Sequence, residues 1–199
     1  TRMVKFRTAA IIASIFVILG AVISGSGASQ TLGKLGSINA LGGAFTVALS
    51  AGISVFWMTR LKLPVSTSQA IVGAIVGWNF FANMSTNYTS LSKIALSWVI
   101  SPILAAIFSI LLYYLAKNIL TIFRLSIFRI DVYTRIGLII AGALGAYSLG
   151  ANNIANVMGV FTGIMEIPNF KLGILNLSGA QQLFLLGGIA ISVGVITYS

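Results

Sequence analysis

The chain has 199 residues, of which 58% are hydrophobic and only 7% charged, with a formal net charge of +10. A soluble domain carries about a quarter charged residues, so a surface this poor in charge has to face lipid, and the composition excludes an ordinary water-soluble globule. There is no Cys and no His, and the only carboxylates are Asp131 and Glu166, which removes thiol, imidazole and Cys/His-metal chemistry and leaves no catalytic set for an enzyme.

In chain order, apolar runs near the roughly 20 residues a span needs cover Thr8–Ser24, Ala40–Thr59, Ile94–Ala116, Ile136–Met165 and Gln181–Tyr198, with a shorter run, more polar at its start, over Ser66–Asn83. The predicted fold is therefore all-α, a polytopic transmembrane helical bundle. Between the fourth and fifth runs, Ile119, Leu120, Ile122, Phe123, Ile127, Phe128 and Ile130 alternate with Lys117, Arg124 and Arg129. That pattern predicts an amphipathic helix lying in the interface over Lys117–Tyr133. The basic residues sit singly at segment ends, without interleaved aromatics, so they read as anchors toward membrane lipid and not as a nucleic-acid surface. If six segments cross from a cytoplasmic N-terminus, Arg2, Lys5, Arg7, Arg60, Lys62, Lys117, Arg124, Arg129 and Arg135 fall inside and Lys34, Lys93 and Lys171 outside, as the positive-inside rule prefers.

The first and last runs resemble each other. ASIFVILGAV (Ala13–Val22) aligns with GGIAISVGVI (Gly187–Ile196), placing Gly20 on Gly194 (194 − 20 = 174). Under six crossings these two segments run in opposite directions, the relation an inverted-topology repeat produces.

Two stretches carry polar side chains that a lipid-facing helix would avoid. In Leu63-Pro64-Val65-Ser66-Thr67-Ser68-Gln69, Pro64 suits a helix start and the hydroxyls can cap it. Such a start inside the membrane offers free N–H groups to an anion; at the lipid interface it is an ordinary N-cap. In Gly150-Ala151-Asn152-Asn153-Ile154-Ala155-Asn156-Val157, three asparagines fall within five residues. Unpartnered, they are costly in hydrocarbon. Asn152 and Asn156 share a face at i, i+4, and Asn153 and Asn156 are close at i, i+3. Their amides can hydrogen-bond an oxyanion and offer carbonyls to Na⁺, or they can act as interhelical hydrogen bonds.

PVSTSQAIVGA (Pro64–Ala74) and LGANNIANVMG (Leu149–Gly159) together resemble the paired signatures of the inorganic phosphate transporter family, which read PVSTTH or PVSTSQ and GANDVANA. The resemblance extends over nearly the whole chain and implies two inverted repeats with broken helices, of which this chain would be an internal piece. Residues 1–116 would be the second half of the first repeat, 117–133 an amphipathic linker, and 134–199 the first half of the second. It also implies uptake of inorganic phosphate by symport with Na⁺ or H⁺, without any other cofactor. Ser66, Thr67, Ser68, Gln69, Asn152, Asn153 and Asn156 would meet substrate and ions, with Na⁺ assigned to Asn153, Asn156 and Thr67. A homo-oligomer is compatible with this reading.

Two positions depart from the pattern. Asn153 stands where the motif usually has Asp, so it carries no charge toward Na⁺ and accepts no proton. Some members of the family are assigned to sulfate, which makes sulfate the alternative substrate; a non-transporting membrane subunit is the alternative class. Gln69 stands where many members have His, and cannot titrate near neutral pH.

Overall fold

The computed structural model describes residues 4–36, 38, 40–122, 126–172 and 175–198; Arg2, Phe123 and Arg124 lie outside them. Among the described residues each apolar run lies on a helix: α1 (Phe6–Gly33), α2 (Leu41–Arg60), α3 (Thr67–Phe81), α4 (Tyr88–Ile122), α5 (Ile127–Met158) and α6 (Gly179–Tyr198), with α1 ending nine residues later and α5 beginning nine residues earlier than its run. In lipid no water is available to satisfy backbone N–H and C=O groups, so apolar sequence of this length resolves into helices that satisfy their own. The residues the all-α expectation missed form a minimal antiparallel ribbon between α5 and α6, β1 (Phe170–Leu172) and β2 (Leu175–Leu177), with Lys171 opposite Asn176.

The chain divides into two units, Thr1–Asn87 with Gly142–Ser199, and Tyr88–Ala141. In the second unit, α4 buries none of its 35 residues. Leu96, Val99, Ile103, Ile107, Phe108 and Leu111 all lie exposed, which suits a helix whose solvent is hydrocarbon. The amphipathic stretch 117–133 is divided between two long helices: its first residues continue α4 to Ile122, and its last ones open α5 from Ile127.

The core of the first unit is built on α1. Its buried residues, Ala10, Ser14, Val17, Ala21, Gly25, Ser29 and Leu32, recur every three or four positions and are mostly small. Small side chains let membrane helices approach closely enough for dispersion to hold them, because burial against apolar lipid supplies no hydrophobic drive. Along this stripe α6 runs antiparallel: Ser192 Oγ reaches the Ser14 carbonyl at 3.2 Å, Gly188 lies against Ile18 and Ala21, and Gln181 Nε2 meets the Val22 carbonyl at 3.5 Å. Ala21, Ile154 and Phe184 meet at the centre. The carboxyl-terminal half of α5 runs parallel to α1, with Val17 facing Gly150, Gly25 facing Ile154 and Ser29 bonded to Thr162.

Among the described residues five helices are long and apolar enough to cross a membrane; α3 is not one of them. At 15 residues it rises about 22 Å against a core of about 30 Å. The Leu63–Ser66 stretch, outside any helix, leads into α3, with Ser66 itself extended. Gly43, at the start of α2, packs on Trp78, near the end of α3, so these two helices are antiparallel. By contrast α3 runs with α5: Thr67 and Ser68 meet Asn153 and Asn156, and Ile75 lines one cavity with Ser29, Gly159 and Thr162. Beyond α3, Asn83 takes the left-handed region at φ 53°, a conformation asparagine tolerates better than most residues. Asn79, fully buried, donates from Nδ2 to Thr86 Oγ1 at 2.9 Å and pins this turn.

Candidate functional site

The first polar motif starts α3. Pro64 keeps Leu63 and its own residue out of the helix, and Ser66 remains extended at φ −107°, ψ 117°. Its Oγ accepts a hydrogen bond from the Gln69 N–H at 3.3 Å, a serine N-cap three residues ahead of a glutamine. One orphan N–H is thereby satisfied.

The second motif is not itself a break. The asparagines sit in regular helix, and α5 ends only at Met158, followed by turns through Ile164 in place of the helix expected to continue to Met165. Backbone pairing survives because the asparagine side chains bond to one another and to α3. Asn156 Nδ2 faces three oxygens: Ser68 Oγ at 3.0 Å, Asn153 Oδ1 at 3.2 Å and Thr67 Oγ1 at 3.3 Å. Thr67 in turn donates to Asn153 Oδ1 at 3.4 Å. An amide nitrogen has two protons, so three acceptors compete for two bonds.

Of the seven residues predicted from sequence, Thr67, Ser68, Asn153 and Asn156 form this cluster directly. Ser66 and Gln69 shape the helix start behind it, Gln69 through its backbone N–H alone. Asn152 is exposed and stands outside the cluster. Of the two pairings open in the sequence, the i, i+3 pair of Asn153 and Asn156 is the one that faces α3. What rotates it there is the reciprocal crossing of α1 and α5. A Cβ on Gly150 would strike the Val17 carbonyl, and one on Gly20 would strike the Tyr147 carbonyl.

The chemistry of the cluster is neutral and two-sided. Hydroxyl and amide oxygens are hard ligands suited to an alkali cation, while free N–H groups at a helix start suit an anion.

Five helices long and apolar enough to cross a membrane among the described residues define an integral, multi-pass membrane protein. Its sequence matches the Phosphate transporter family across residues 1–199, and the chain belongs to that family, a family of transporters and not of enzymes. A Methanocaldococcus jannaschii protein provisionally named a phosphate permease is 27% identical over 198 residues, covering 100% of this chain and 57% of its own length. Homo sapiens sodium-dependent phosphate transporter 1 is 33% identical over 126 residues, covering 58% of this chain and 19% of that protein. A solved structure of a sodium-dependent phosphate transporter superposes with a TM-score of 0.67 at 23% identity over 98% of this chain and 67% of that one, a likeness of fold. The chain thus spans little more than half of the archaeal relative.

Proposed function

We propose that this chain forms part of an ion-coupled secondary carrier that moves inorganic phosphate across the membrane. The observation that carries the reading is the meeting of Thr67, Ser68, Asn153 and Asn156 within 3.0–3.4 Å at the interrupted start of α3. Free N–H groups there neutralise the anion, and the oxygens of Thr67, Ser68 and Asn153 take the cation. Ser66 and Gln69 hold the helix start, and Asn152, pointing outward, meets substrate from the open side. Na⁺ is the favoured coupling ion, because none of these seven side chains ionises near neutral pH and proton symport would need other groups.

The carrier is read as two inverted repeats, supported by the antiparallel run of α1 and α6 and the match of Gly20 with Gly194. Residues 1–116 belong to the first, 134–199 to the second, with the connection within 117–133. Rocking of one repeat against the other alternates access. Sulfate is the second substrate reading, favoured by Asn153, whose neutral amide leaves the cluster without the negative charge that would repel a more highly charged anion.

The test is uptake of labelled phosphate and, separately, labelled sulfate by liposomes containing the full-length protein, with and without a Na⁺ gradient. Phosphate accumulation that depends on Na⁺ is expected. Background uptake of both anions would leave the cluster as interhelical hydrogen bonding in a non-transporting subunit.

A further inference from the structure

Three oxygens converge on one nitrogen beside the start of α3. Ser68 Oγ, Asn153 Oδ1 and Thr67 Oγ1 lie 3.0, 3.2 and 3.3 Å from Asn156 Nδ2. The nitrogen has two protons to give, so it cannot serve all three fully. Thr67 offers its own proton to Asn153 Oδ1 at 3.4 Å, longer than a good O–H···O bond. A point faced by three oxygens suits a hard cation as well as it suits an NH₂ group, because both present positive charge to the lone pairs.

The backbone that carries Asn156 is held in place. Ile154 is fully buried against Ala21 and Phe184, Ala155 is buried beside it, and Gly150 is pressed on the Val17 carbonyl, so α5 has no room to roll. The amide does have freedom. Its terminal torsion joins a tetrahedral carbon to a planar one, and such torsions are broad and roughly two-fold, so a half-turn costs little in itself. What the half-turn changes is polarity: Nδ2, a donor, is exchanged for Oδ1, an acceptor, at the same place. Asn156 and Ser68 are half-buried and Thr67 is exposed, so the cluster is open on its Thr67 side.

We propose that Asn156 is a reversible switch between donor and ligand. In one orientation Nδ2 ties α5 to α3; after a half-turn Oδ1 joins Ser68 Oγ, Asn153 Oδ1 and Thr67 Oγ1 as the fourth oxygen around Na⁺. The inference rests on the ion-coupled reading above. Oδ1 turned inward without a cation sets four oxygens against one another with only hydroxyl protons between them, so the second orientation is stable only with the ion in place. The ion selects that orientation by binding it better. Its entry exchanges the direct bonds from Asn156 to Ser68 and Thr67 for bonds through the cation, which makes the contact between α5 and α3 depend on the ion. Asn156→Asp leaves a ligand in both orientations and a donor in neither, and Asn156→Leu, of similar shape, leaves neither function.

Those two substitutions make the test. Binding of radiolabelled Na⁺ to the full-length protein in detergent is measured without phosphate, at constant ionic strength in choline, with the rise in melting temperature on adding Na⁺ as a second readout. Asn156→Leu is expected to bind Na⁺ severalfold more weakly than the unsubstituted protein, having lost a ligand. Asn156→Asp is expected to bind it severalfold more tightly, and to melt lower in choline alone, with the deficit recovered in Na⁺. Undiminished binding by Asn156→Leu makes the amide a donor only and overturns the switch, as does a deficit in Asn156→Asp that Na⁺ does not recover. Either result beside Na⁺-driven phosphate uptake by the unsubstituted protein leaves the transport reading standing. Background uptake and no Na⁺ binding by that protein overturn the transport reading itself. Each variant decides the switch by itself, so one that fails to fold leaves the other to do so.

Discussion

Helix α5 is held from two sides by opposite means. Toward α1 it is held by backbone: Gly20 and Gly150 bring the two helices so close that each glycine faces a carbonyl of the other. Toward α3 it is held at the cluster by side-chain hydrogen bonds, from Asn156 Nδ2 to Ser68 and Thr67 and from Thr67 to Asn153 Oδ1. The first contact has a single geometry, because a packed backbone crossing has no alternative partner. The second is built of exchangeable hydrogen bonds that a ligand can replace one for one. A carrier needs both, a fixed axis and a contact that can open.

The comparison breaks most severely at Gly150. Gly150→Val puts a branched side chain against the Val17 carbonyl and should cost about 3 kcal/mol or more, read as a large loss of thermal stability in detergent and of folded yield. Asn156→Leu removes the shared donor and leaves Ser68, Thr67 and Asn153 without it. Uptake should fall to near background while the melting temperature drops modestly, by the equivalent of about 1–2 kcal/mol; an unchanged uptake would remove Asn156 from the site.

Asn153→Asp sharpens the comparison instead of breaking it. The carboxylate keeps the oxygen that Thr67 and Asn156 already use and adds a charge. Half-saturating Na⁺ for uptake should fall with little change in stability, and an unaltered Na⁺ dependence would argue against placing the cation here. Smallest is Ser192→Ala, which deletes a buried hydroxyl shared between the Gly188 carbonyl of its own helix at 2.8 Å and the Ser14 carbonyl of α1 at 3.2 Å. Interhelical hydrogen bonds in membranes average about 0.6 kcal/mol, so only a shift of a degree or two in melting temperature is expected, without effect on transport.

Much of this was legible in the residues. Runs of apolar sequence place α2 and α6 within two residues at either end, since length and hydropathy are properties of each segment alone, whereas α1 runs nine residues past the predicted Ser24 and α4 six residues past its run at each end. Pro64 followed by Ser66 marks the start of α3, and the crowding of Asn152, Asn153 and Asn156 marks the second half of the cluster. The end of α5 was misplaced by seven residues, because Gly159-Val160-Phe161 is as apolar as the helix before it. The β1–β2 ribbon was missed because three residues per strand carry no readable alternation.

By itself, the order of amino acids determined that this protein lives in lipid, where α1, α2, α3 and α6 begin, and which side chains must find partners, because each follows from the cost of leaving polar groups bare in hydrocarbon. Only the tertiary structure decided that Asn153 and Asn156 face α3 while Asn152 does not, since helix periodicity permits either pairing and the Gly20–Gly150 crossing sets the rotation. The same holds for the cavity. Ser29, Ile75 and Thr162 are distant in sequence, and they share a wall only because α1, α3 and α5 run in one direction.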